Sequence, residues 1–453
     1  MWTSDTIAAI ATAPGRGAVA LLRVSGPAAV AMARRVAPEL GDVPRVQRLA
    51  ALRHPETGEL LDRGLVTVFH APGSYTGEET VEIATHGGYL TPQLVLDALL
   101  AAGCRAAEPG EFTRRAYLNG KLDLLQAEAV LDLIDGRSRA LHRAAIHQME
   151  RGLSLRIEEL RAAIIGAEAL IVYSIDFPEE DEPPVPPARI RAAVEDVLAR
   201  IGRLLETAPE GELLRDGALT VLAGRPNSGK SSLFNALLGT ERAIVTDVPG
   251  TTRDAVEATL SIDGYPFRLA DTAGLRETAD QVEGIGIEVA RRYLAAADLV
   301  LFCVEAGRET GEDEAAFLAE LDPERTLLVR TKADLLPAPP PSSLVPTVEG
   351  LHVSAHDSAG LEELRRVLLA KAFGGILGEP GEAPLVTRER HARALRTARD
   401  EVRGFLDAQE TGVPMEYGAT HLRAAAGALE DLVGAVTVED ILERVFGDFC
   451  VGK

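Results

Sequence analysis

Cysteine is scarce in this sequence, and long apolar runs are missing from it. The three cysteines, Cys104, Cys303 and Cys450, are too few and too scattered along 453 residues for a disulfide framework or a zinc site. No uninterrupted apolar run reaches the roughly 18 residues that a membrane-spanning helix needs, and the first residues lack the basic start of a signal peptide. We therefore expect a cytoplasmic protein with no membrane span.

The sequence also has few basic residues relative to acidic ones: 69 Asp and Glu against 47 Lys and Arg, which gives a formal net charge of −22. Such a surface repels phosphates as a whole, so an RNA partner requires a local basic patch. The densest candidate is the segment 388–403, in which arginines recur every two to four residues. A solvated helix face laced with ion pairs explains the same spacing, and the sequence favours neither explanation.

The pattern of apolar residues changes along the chain. Residues 1–118 mix strand-like and helical stretches, which is typical of a compact α/β domain. Helical spacing prevails over 119–213 and again over 376–453, whereas short apolar strands alternate with helices over 214–375, as in βαβ units with a largely parallel sheet. The predicted fold class is therefore multidomain α/β plus α, with a nucleotide-binding domain inserted into a helical domain.

The strongest single motif is a phosphate-binding loop at 224–231. Its residues fit the pattern G-x-x-x-x-G-K-[ST] and lie between an apolar strand and a helix, which is the context that the motif requires. Glycines let backbone N–H groups turn toward phosphates, Lys230 adds positive charge at the β and γ oxygens, and the Ser231 hydroxyl can hold Mg²⁺. The motif predicts a nucleoside triphosphate as ligand.

Companion motifs extend this prediction toward the metal and the base. Asp271, in Asp-Thr-Ala-Gly after a strand, reaches the metal through water, while the polar loop 250–254 supplies a second metal-binding hydroxyl from Thr251 or Thr252. A carboxylate at Asp334 can accept hydrogen bonds from both N1–H and the 2-amino group of guanine, which selects GTP. Guanine-nucleotide proteins usually carry Asn where Thr331 stands, so we expect weaker binding here.

One absence bears on the chemistry of hydrolysis. Directly after Asp-Thr-Ala-Gly stands Leu275, where Ras-like enzymes carry the glutamine that orients water. A leucine cannot position a nucleophile, so another group must do so. The candidates in the adjoining segment are Arg276, Glu277, Asp280 and Glu283.

Four features in this order resemble the MnmE family, also called TrmE: the opening 5–17, the run 120–129, the nucleotide motifs and the terminal Phe-Cys-Val-Gly-Lys. The resemblance spans the whole chain. It implies an N-terminal folate-binding and dimerisation domain at 1–118, a helical domain formed by 119–213 and 376–453, and an inserted Ras-like P-loop GTPase domain at 214–375.

The resemblance also implies a reaction and its partners. Such proteins form homodimers and act with the flavoprotein MnmG, in a heterotetramer in which only the partner carries FAD. Together they add an aminomethyl or carboxymethylaminomethyl group to C5 of the wobble uridine of certain tRNAs. The one-carbon unit comes from 5,10-methylenetetrahydrofolate or 5-formyltetrahydrofolate. By matching motif positions, the folate contacts are Arg23, Glu82, Lys121 and Lys453.

The family is potassium-activated, and the resemblance assigns residues to that chemistry. The implied K⁺ ligands are Asn227, Thr246, Val248 and Thr251, Glu283 orients the attacking water, and Mg²⁺ is held by Ser231 and Thr252, with Thr251 as the alternative. Cys450 is either a nucleophile toward the uridine or a buried small side chain. The predicted contacts with GTP are Asn227, Ser228, Gly229, Lys230, Ser231, Ser232, Thr246, Asp247, Val248, Pro249, Gly250, Thr251, Thr252, Asp271, Thr272, Ala273, Gly274, Thr331, Lys332, Ala333, Asp334, Ser354, Ala355 and His356.

Two other functions remain compatible with the nucleotide motifs. A GTPase of ribosome assembly shares those motifs but has no use for a folate pocket. A regulatory scaffold binds GTP and hydrolyses almost none of it; Leu275 agrees with that alternative, whereas Glu283 and Asn227 argue against it. Folate binding separates the first alternative from the family, and GTP turnover separates the second.

Overall fold

This computed structural model describes residues 5–136, 138–176, 185–239, 257–271, 292–336, 350–377, 386–434, 449 and 452. By its contacts the chain divides into two compact units. Unit 1 comprises Met1–Leu131, Gln148–Glu158 and Leu429–Lys453. Unit 2 comprises Asp132–His147 and Glu159–Ala428. The four domain boundaries expected from the sequence stay a prediction.

Unit 1 is built on a six-stranded sheet with the order β3-β4-β5-β2-β1-β6. Its strands are β1 (Ile7–Ile10), β2 (Val19–Ser25), β3 (Arg48–Arg53), β4 (Leu60–Phe69), β5 (Thr80–His86) and β6 (Arg105–Ala106). All neighbours pair antiparallel except β1 and β6. Alternate residues such as Leu22 and Val24, or Val66 and Val68, face one core, as the two-residue period of a strand requires.

Helices cover that core. α1 (Ala29–Val36) and α2 (Thr91–Ala101) contribute buried alanines, valines and leucines to the same cluster as the sheet. The chain then continues through α3 (Glu111–Leu118), α4 (Leu124–Asp135), α5 (Arg139–Met149) and α6 (Gly152–Asp176). The α/β character expected of the N-terminal region is confirmed.

A buried arginine ties the start of the chain to α3. The Arg115 side chain is 2% exposed, and its guanidinium donates to Asp5 Oδ1 at 2.7 Å and Glu111 Oε1 at 2.9 Å, with Glu78 Oε2 at 3.2 Å. Burial alone would raise the pKa of Glu111, but hydrogen bonds from Arg105, from the Glu108 N–H and from Arg115 outweigh it and hold that pKa below its usual value. The cluster is therefore charged at neutral pH.

Unit 2 contains the second six-stranded sheet, with the order β12-β11-β10-β7-β9-β8. Its strands are β7 (Ala218–Ala223), β8 (Glu257–Ile262), β9 (Tyr265–Asp271), β10 (Leu299–Glu305), β11 (Thr326–Thr331) and β12 (Leu351–His352). Every pair is parallel except β8 with β9. β7 is buried along its whole length because both faces of the sheet are covered.

Most of α5 and of α6 belongs to unit 2, and further helices lie before, between and after the strands of its sheet. They are α7 (Pro187–Glu206), α8 (Ala208–Asp216), α9 (Lys230–Gly239), α10 (Glu312–Glu320), α11 (Leu361–Leu377), α12 (Glu389–Glu410) and α13 (Met415–Val433). α7 precedes the sheet and α12 follows it, yet the two pack together through apolar residues spaced four and three apart. The inserted topology and the predicted fold class are confirmed.

A helix that crosses a membrane must be both long and apolar. Within the described part of the chain, no helix combines that length with that apolar character.

Replacing Arg115 with methionine should destabilise unit 1 strongly. The change keeps much of the side-chain volume but removes the buried cation that pairs with Asp5, Glu78 and Glu111. Because Arg105 still pairs with Asp5 and Glu111, we expect a cost of about 3 kcal/mol, at the low end for breaking a buried ion pair. Urea unfolding followed by amide exchange of β2 and β5 measures the loss. Arg63→Met removes an exposed arginine from the same sheet and should change stability by less than about 0.5 kcal/mol. Equal midpoints for the two variants would contradict this account.

Candidate functional site

The phosphate loop leaves the carboxyl end of β7, near the middle of the parallel sheet, and enters α9. Gly224 has φ +139°, and a Cβ at this position would lie 2.4 Å from the Cys303 carbonyl oxygen, so no larger residue fits. Gly229 also has a positive φ of 87°. Asn227, the described member of the predicted K⁺ set, has φ 61° and lies exposed in this loop. The backbone thus turns as the sequence motif predicts.

Lys230 lies inside the loop. Its side chain is 5% exposed, and its ammonium donates to the carbonyl oxygens of Gly224 at 3.0 Å and Arg225 at 2.7 Å. The lysine therefore holds a positive charge against the loop backbone, beside the N-terminus of α9, which favours anions for the same electrostatic reason.

Ser231 and Asp271 meet at the same edge of the sheet. The Ser231 hydroxyl donates to Asp271 Oδ2 at 2.8 Å, and Asp271 ends β9, where it pairs in register with Leu222 of β7. A hydroxyl and a carboxylate are oxygen ligands of the type that Mg²⁺ prefers. The residues present therefore fit the divalent cation that the sequence predicts.

A cavity of about 520 Å³ opens beside the loop. Seven predicted contact residues line it: Gly229, Ser232, Thr331, Lys332, Asp334, Ala355 and His356. Asn235 and Ala236 line it too, and the sequence analysis missed both. Their positions three and four residues after Ser232 put them on one face of α9, so helical periodicity could have found them.

Asp334 is the acidic group of this cavity. It lies on a single 3₁₀ turn, Ala333–Leu335, and is exposed. Within the described residues its carboxylate accepts no hydrogen bond, so both oxygens are available to a ligand. Lys332 beside it is engaged by Glu305 Oε2 at 3.1 Å.

Ser354 shapes the last loop of the cavity. Its side chain is fully buried, and its hydroxyl accepts the N–H groups of His356 at 3.2 Å and Asp357 at 3.3 Å. Ala355 and His356 line the cavity, whereas Ser354 does not. Ser354 therefore stabilises the loop through hydrogen bonds to its backbone and does not face the cavity.

The remaining predicted residues lie outside the described part of the chain, and their roles stay predictions. They are Thr246, Asp247, Val248, Pro249, Gly250, Thr251, Thr252, Thr272, Ala273, Gly274, Arg276, Glu277, Asp280, Glu283, Cys450 and Lys453.

The two described cysteines are buried thiols. Burial raises the pKa of Cys104 to about 11 and that of Cys303 to about 12, so neither forms a thiolate near neutral pH. Among the described residues no group of three or more His, Cys, Asp or Glu side chains could hold a metal.

A second candidate site lies in unit 1. Arg23 on β2 and Glu82 on β5 are register partners, and their side chains pair at 2.8 Å. The Arg23 guanidinium lies 5.2 Å from the centre of the Tyr75 ring and 5.7 Å from that of Phe112. An arginine framed by aromatic rings, next to a carboxylate, can bind a planar ligand that carries hydrogen-bond donors.

Two further described residues of unit 1 bear on the predicted folate contacts, Lys121 and Gly452. Lys121 Nζ donates at 3.0 Å to the carbonyl of Pro72, which lies in the β4–β5 connection that also carries Tyr75. A Cβ at Gly452 would lie 2.4 Å from the carbonyl oxygen of Ile10, the last residue of β1. Since Ala9 of β1 is the register partner of Arg23, the tail contacts the strand next to that arginine.

The arginine-rich segment forms the first half of α12, and its charges are largely neutralised. Arg396 pairs with Glu389 at 3.0 Å, Arg399 with Asp400 at 2.9 Å, and Arg388 with Asp132 at 2.5 Å. These pairs favour the solvated, ion-paired face over a phosphate-binding patch.

Comparison with known proteins extends these observations. The model of the GTP-binding protein TrmE N-terminus matches residues 6–121, and the model of the MnmE helical domain matches residues 124–450. The chain is 42% identical to the tRNA modification GTPase MnmE of Moorella thermoacetica over 99% of both chains, and 40% identical to that of Geobacter metallireducens over 100% of both. The solved G domain of the T. maritima FeoB iron transporter is 28% identical and covers 34% of this chain and 98% of its own, with a TM-score of 0.26.

Replacing Asp334 with asparagine should change which base the cavity accepts. We expect the carboxylate to accept two donors of guanine, whereas an amide offers a donor of its own that suits the 2-oxo group of xanthine. We expect GDP binding to weaken about 100-fold and XDP binding to tighten, as measured by calorimetry. Asp263→Asn, at an exposed turn with φ 50°, is the matched control. Unchanged GDP affinity in Asp334→Asn would remove Asp334 from base recognition.

Proposed function

The chain belongs to the MnmE (TrmE) family of tRNA modification GTPases, and from that membership we propose a specific reaction for it. It is a GTP hydrolase. In the proposed reaction it acts with the flavoprotein MnmG, which carries FAD, to add an aminomethyl or carboxymethylaminomethyl group to C5 of the wobble uridine of certain tRNAs. The proposed assembly is a homodimer that joins MnmG in a heterotetramer in the cytoplasm.

One observation supports the nucleotide half of this proposal: the end of the phosphate loop and Asp334 line the same cavity. We assign Lys230 to the phosphate end of the nucleotide and Asp334 to its base. Gly229, at the end of that loop, lines the same cavity as Asp334, so a single ligand can span both. Lys230 balances phosphate charge, and Asp334 selects guanine over adenine because adenine offers no matching pair of donors.

Mg²⁺ fits the pair formed by Ser231 and Asp271. When bound, it neutralises charge on the phosphate oxygens. Ser231 would hold it directly, Asp271 would hold it through water, and Thr252, or alternatively Thr251, would supply the second hydroxyl. The N–H of Gly274 senses the terminal phosphate.

Hydrolysis in this chain needs a substitute for the missing glutamine at Leu275. We assign the orientation of water to Glu283 and the neutralisation of transition-state charge to K⁺, held by Asn227, Thr246, Val248 and Thr251. A hard monovalent cation suits an amide oxygen, a hydroxyl and backbone carbonyls. The exposed position of Asn227 in the phosphate loop supports this assignment.

The folate half of the proposal rests on unit 1. Arg23 and Glu82, framed by Tyr75 and Phe112, suit the flat, donor-rich ring system of 5,10-methylenetetrahydrofolate or 5-formyltetrahydrofolate. Lys121 and Lys453 add positive charge for the carboxylates of the folate tail. The contact of Gly452 with β1 supports the inclusion of Lys453, its neighbour in sequence.

Potassium and Glu283 can be tested together. GTP turnover should be much faster in KCl than in NaCl at equal ionic strength, and Glu283→Ala should abolish most turnover while GDP affinity survives. Glu277→Ala, in the same segment, serves as the matched comparison and should retain activity. Equal turnover in KCl and NaCl would favour the alternative of a GTP-binding scaffold. Loss of turnover in Glu277→Ala but not in Glu283→Ala would assign the orientation of water to Glu277.

Folate binding separates this function from ribosome assembly. Calorimetry with 5-formyltetrahydrofolate should show binding to the wild-type chain and a loss of about tenfold or more in Arg23→Met, because both the cation and its hydrogen bonds disappear. Arg63→Met, exposed on the neighbouring β4, should bind normally. A wild-type chain that binds no folate would refute this half of the proposal.

A further inference from the structure

Thr331, which stands where Asn is usual, uses its hydroxyl inside the protein. It ends β11 and is 4% exposed. Its Oγ1 lies 2.6 Å from the carbonyl oxygen of Ser228 in the phosphate loop and 3.4 Å from that of Val304. Both neighbours are acceptors, so the hydroxyl is the donor, and its single proton serves the shorter bond to Ser228. No proton remains for a purine nitrogen.

The same side chain touches the next residue of the loop. A Cβ at Gly229 would lie 3.0 Å from both Cβ and Oγ1 of Thr331. Thr331 therefore packs directly against the loop backbone and also hydrogen-bonds to it. Through these two contacts the end of β11, which leads into the turn of Asp334, is joined to the loop that surrounds the phosphates.

The side chains of residues 332–334 differ in what they contact. Lys332 is paired with Glu305, Ala333 has no polar side-chain atom, and Asp334 faces the cavity with both oxygens available within the described structure. An asparagine at 331 would carry two N–H donors, one for the loop and one for a base, whereas threonine has one.

We propose that Thr331 is a positioning residue for the phosphate loop and takes no part in reading the base, so that recognition of guanine in this segment falls to Asp334. The inference rests on the nucleotide site proposed above. Removing the hydroxyl leaves the buried Ser228 carbonyl without its donor, which loosens the loop and weakens every diphosphate equally, whatever base it carries.

The test compares GDP with two analogues by calorimetry: IDP, which lacks the 2-amino group that Asp334 would read, and 7-deaza-GDP, which lacks the N7 acceptor that a donor at position 331 could reach. Thr331→Val should weaken all of these nucleotides by about the same factor, on the order of tenfold, and leave the affinity ratios of GDP to IDP and of GDP to 7-deaza-GDP unchanged. Thr331→Ser, which keeps the hydroxyl, should restore affinity, while Thr331→Ala should not. Asp334→Asn is the opposite control, because it should collapse the GDP-to-IDP ratio.

Deuterium exchange of the loop peptide in the nucleotide-free protein adds a readout that does not depend on affinity. Uptake over 224–229 should rise in Thr331→Val and Thr331→Ala and return to normal in Thr331→Ser. A changed affinity ratio of GDP to IDP, or of GDP to 7-deaza-GDP, in Thr331→Val would mean that Thr331 reads the base. Normal affinity with normal uptake would overturn the positioning role. A different outcome would refute the nucleotide site and leave the positioning role intact. In that outcome the wild-type chain binds no nucleotide, while deuterium uptake over 224–229 still rises in Thr331→Val and Thr331→Ala and stays normal in Thr331→Ser.

Discussion

The parallel register of the unit 2 sheet is the constraint on which the nucleotide site depends. It places Ala223 beside Phe302, Asp271 beside Leu222 and Thr331 beside Glu305. The carboxyl ends of four strands therefore meet at one edge, where loops can converge on a ligand. A shift by one residue would turn every side chain of a strand to the other face and would separate these groups.

Steric limits then decide how the loops close over that edge. Gly224 passes against the Cys303 carbonyl of the neighbouring strand, and Gly229 passes against Thr331. The approach at Gly224 leaves no room for a side chain, and a Cβ at Gly229 would require Thr331 to shift. The phosphate loop is thus supported from β10 and β11, so the residues that shape it include several that contact no phosphate.

Electrostatics in this protein is local. The formal net charge of −22 repels anions on average, yet Lys230 lies buried beside a helix N-terminus and Arg23 lies between two aromatic rings. In both cases nearby groups hold the cation in place: two backbone carbonyls for Lys230 and the Glu82 carboxylate for Arg23. The repulsion that the distant acidic surface exerts on an anion is screened by salt over about one Debye length. By contrast, the arginines of α12 are as numerous as a binding patch would need, but neighbouring carboxylates neutralise them.

Sequence alone determined the local parts of this protein: the alternating pattern of the strands, the phosphate loop between β7 and α9, the Asp334 carboxylate and the inserted order of the segments. These follow from periodicity and short spacing, which depend only on near neighbours in the chain. Three features required tertiary structure: the pairing of Arg23 with Glu82 near two aromatic rings, the pairing of Arg388, directly before α12, with Asp132, and the supporting role of Ser354. So did the use of Thr331, whose acceptor at Ser228 lies 103 positions away and becomes adjacent only through the register of parallel strands. A side chain's type states which bonds it can make, but only the fold decides which partner lies within reach.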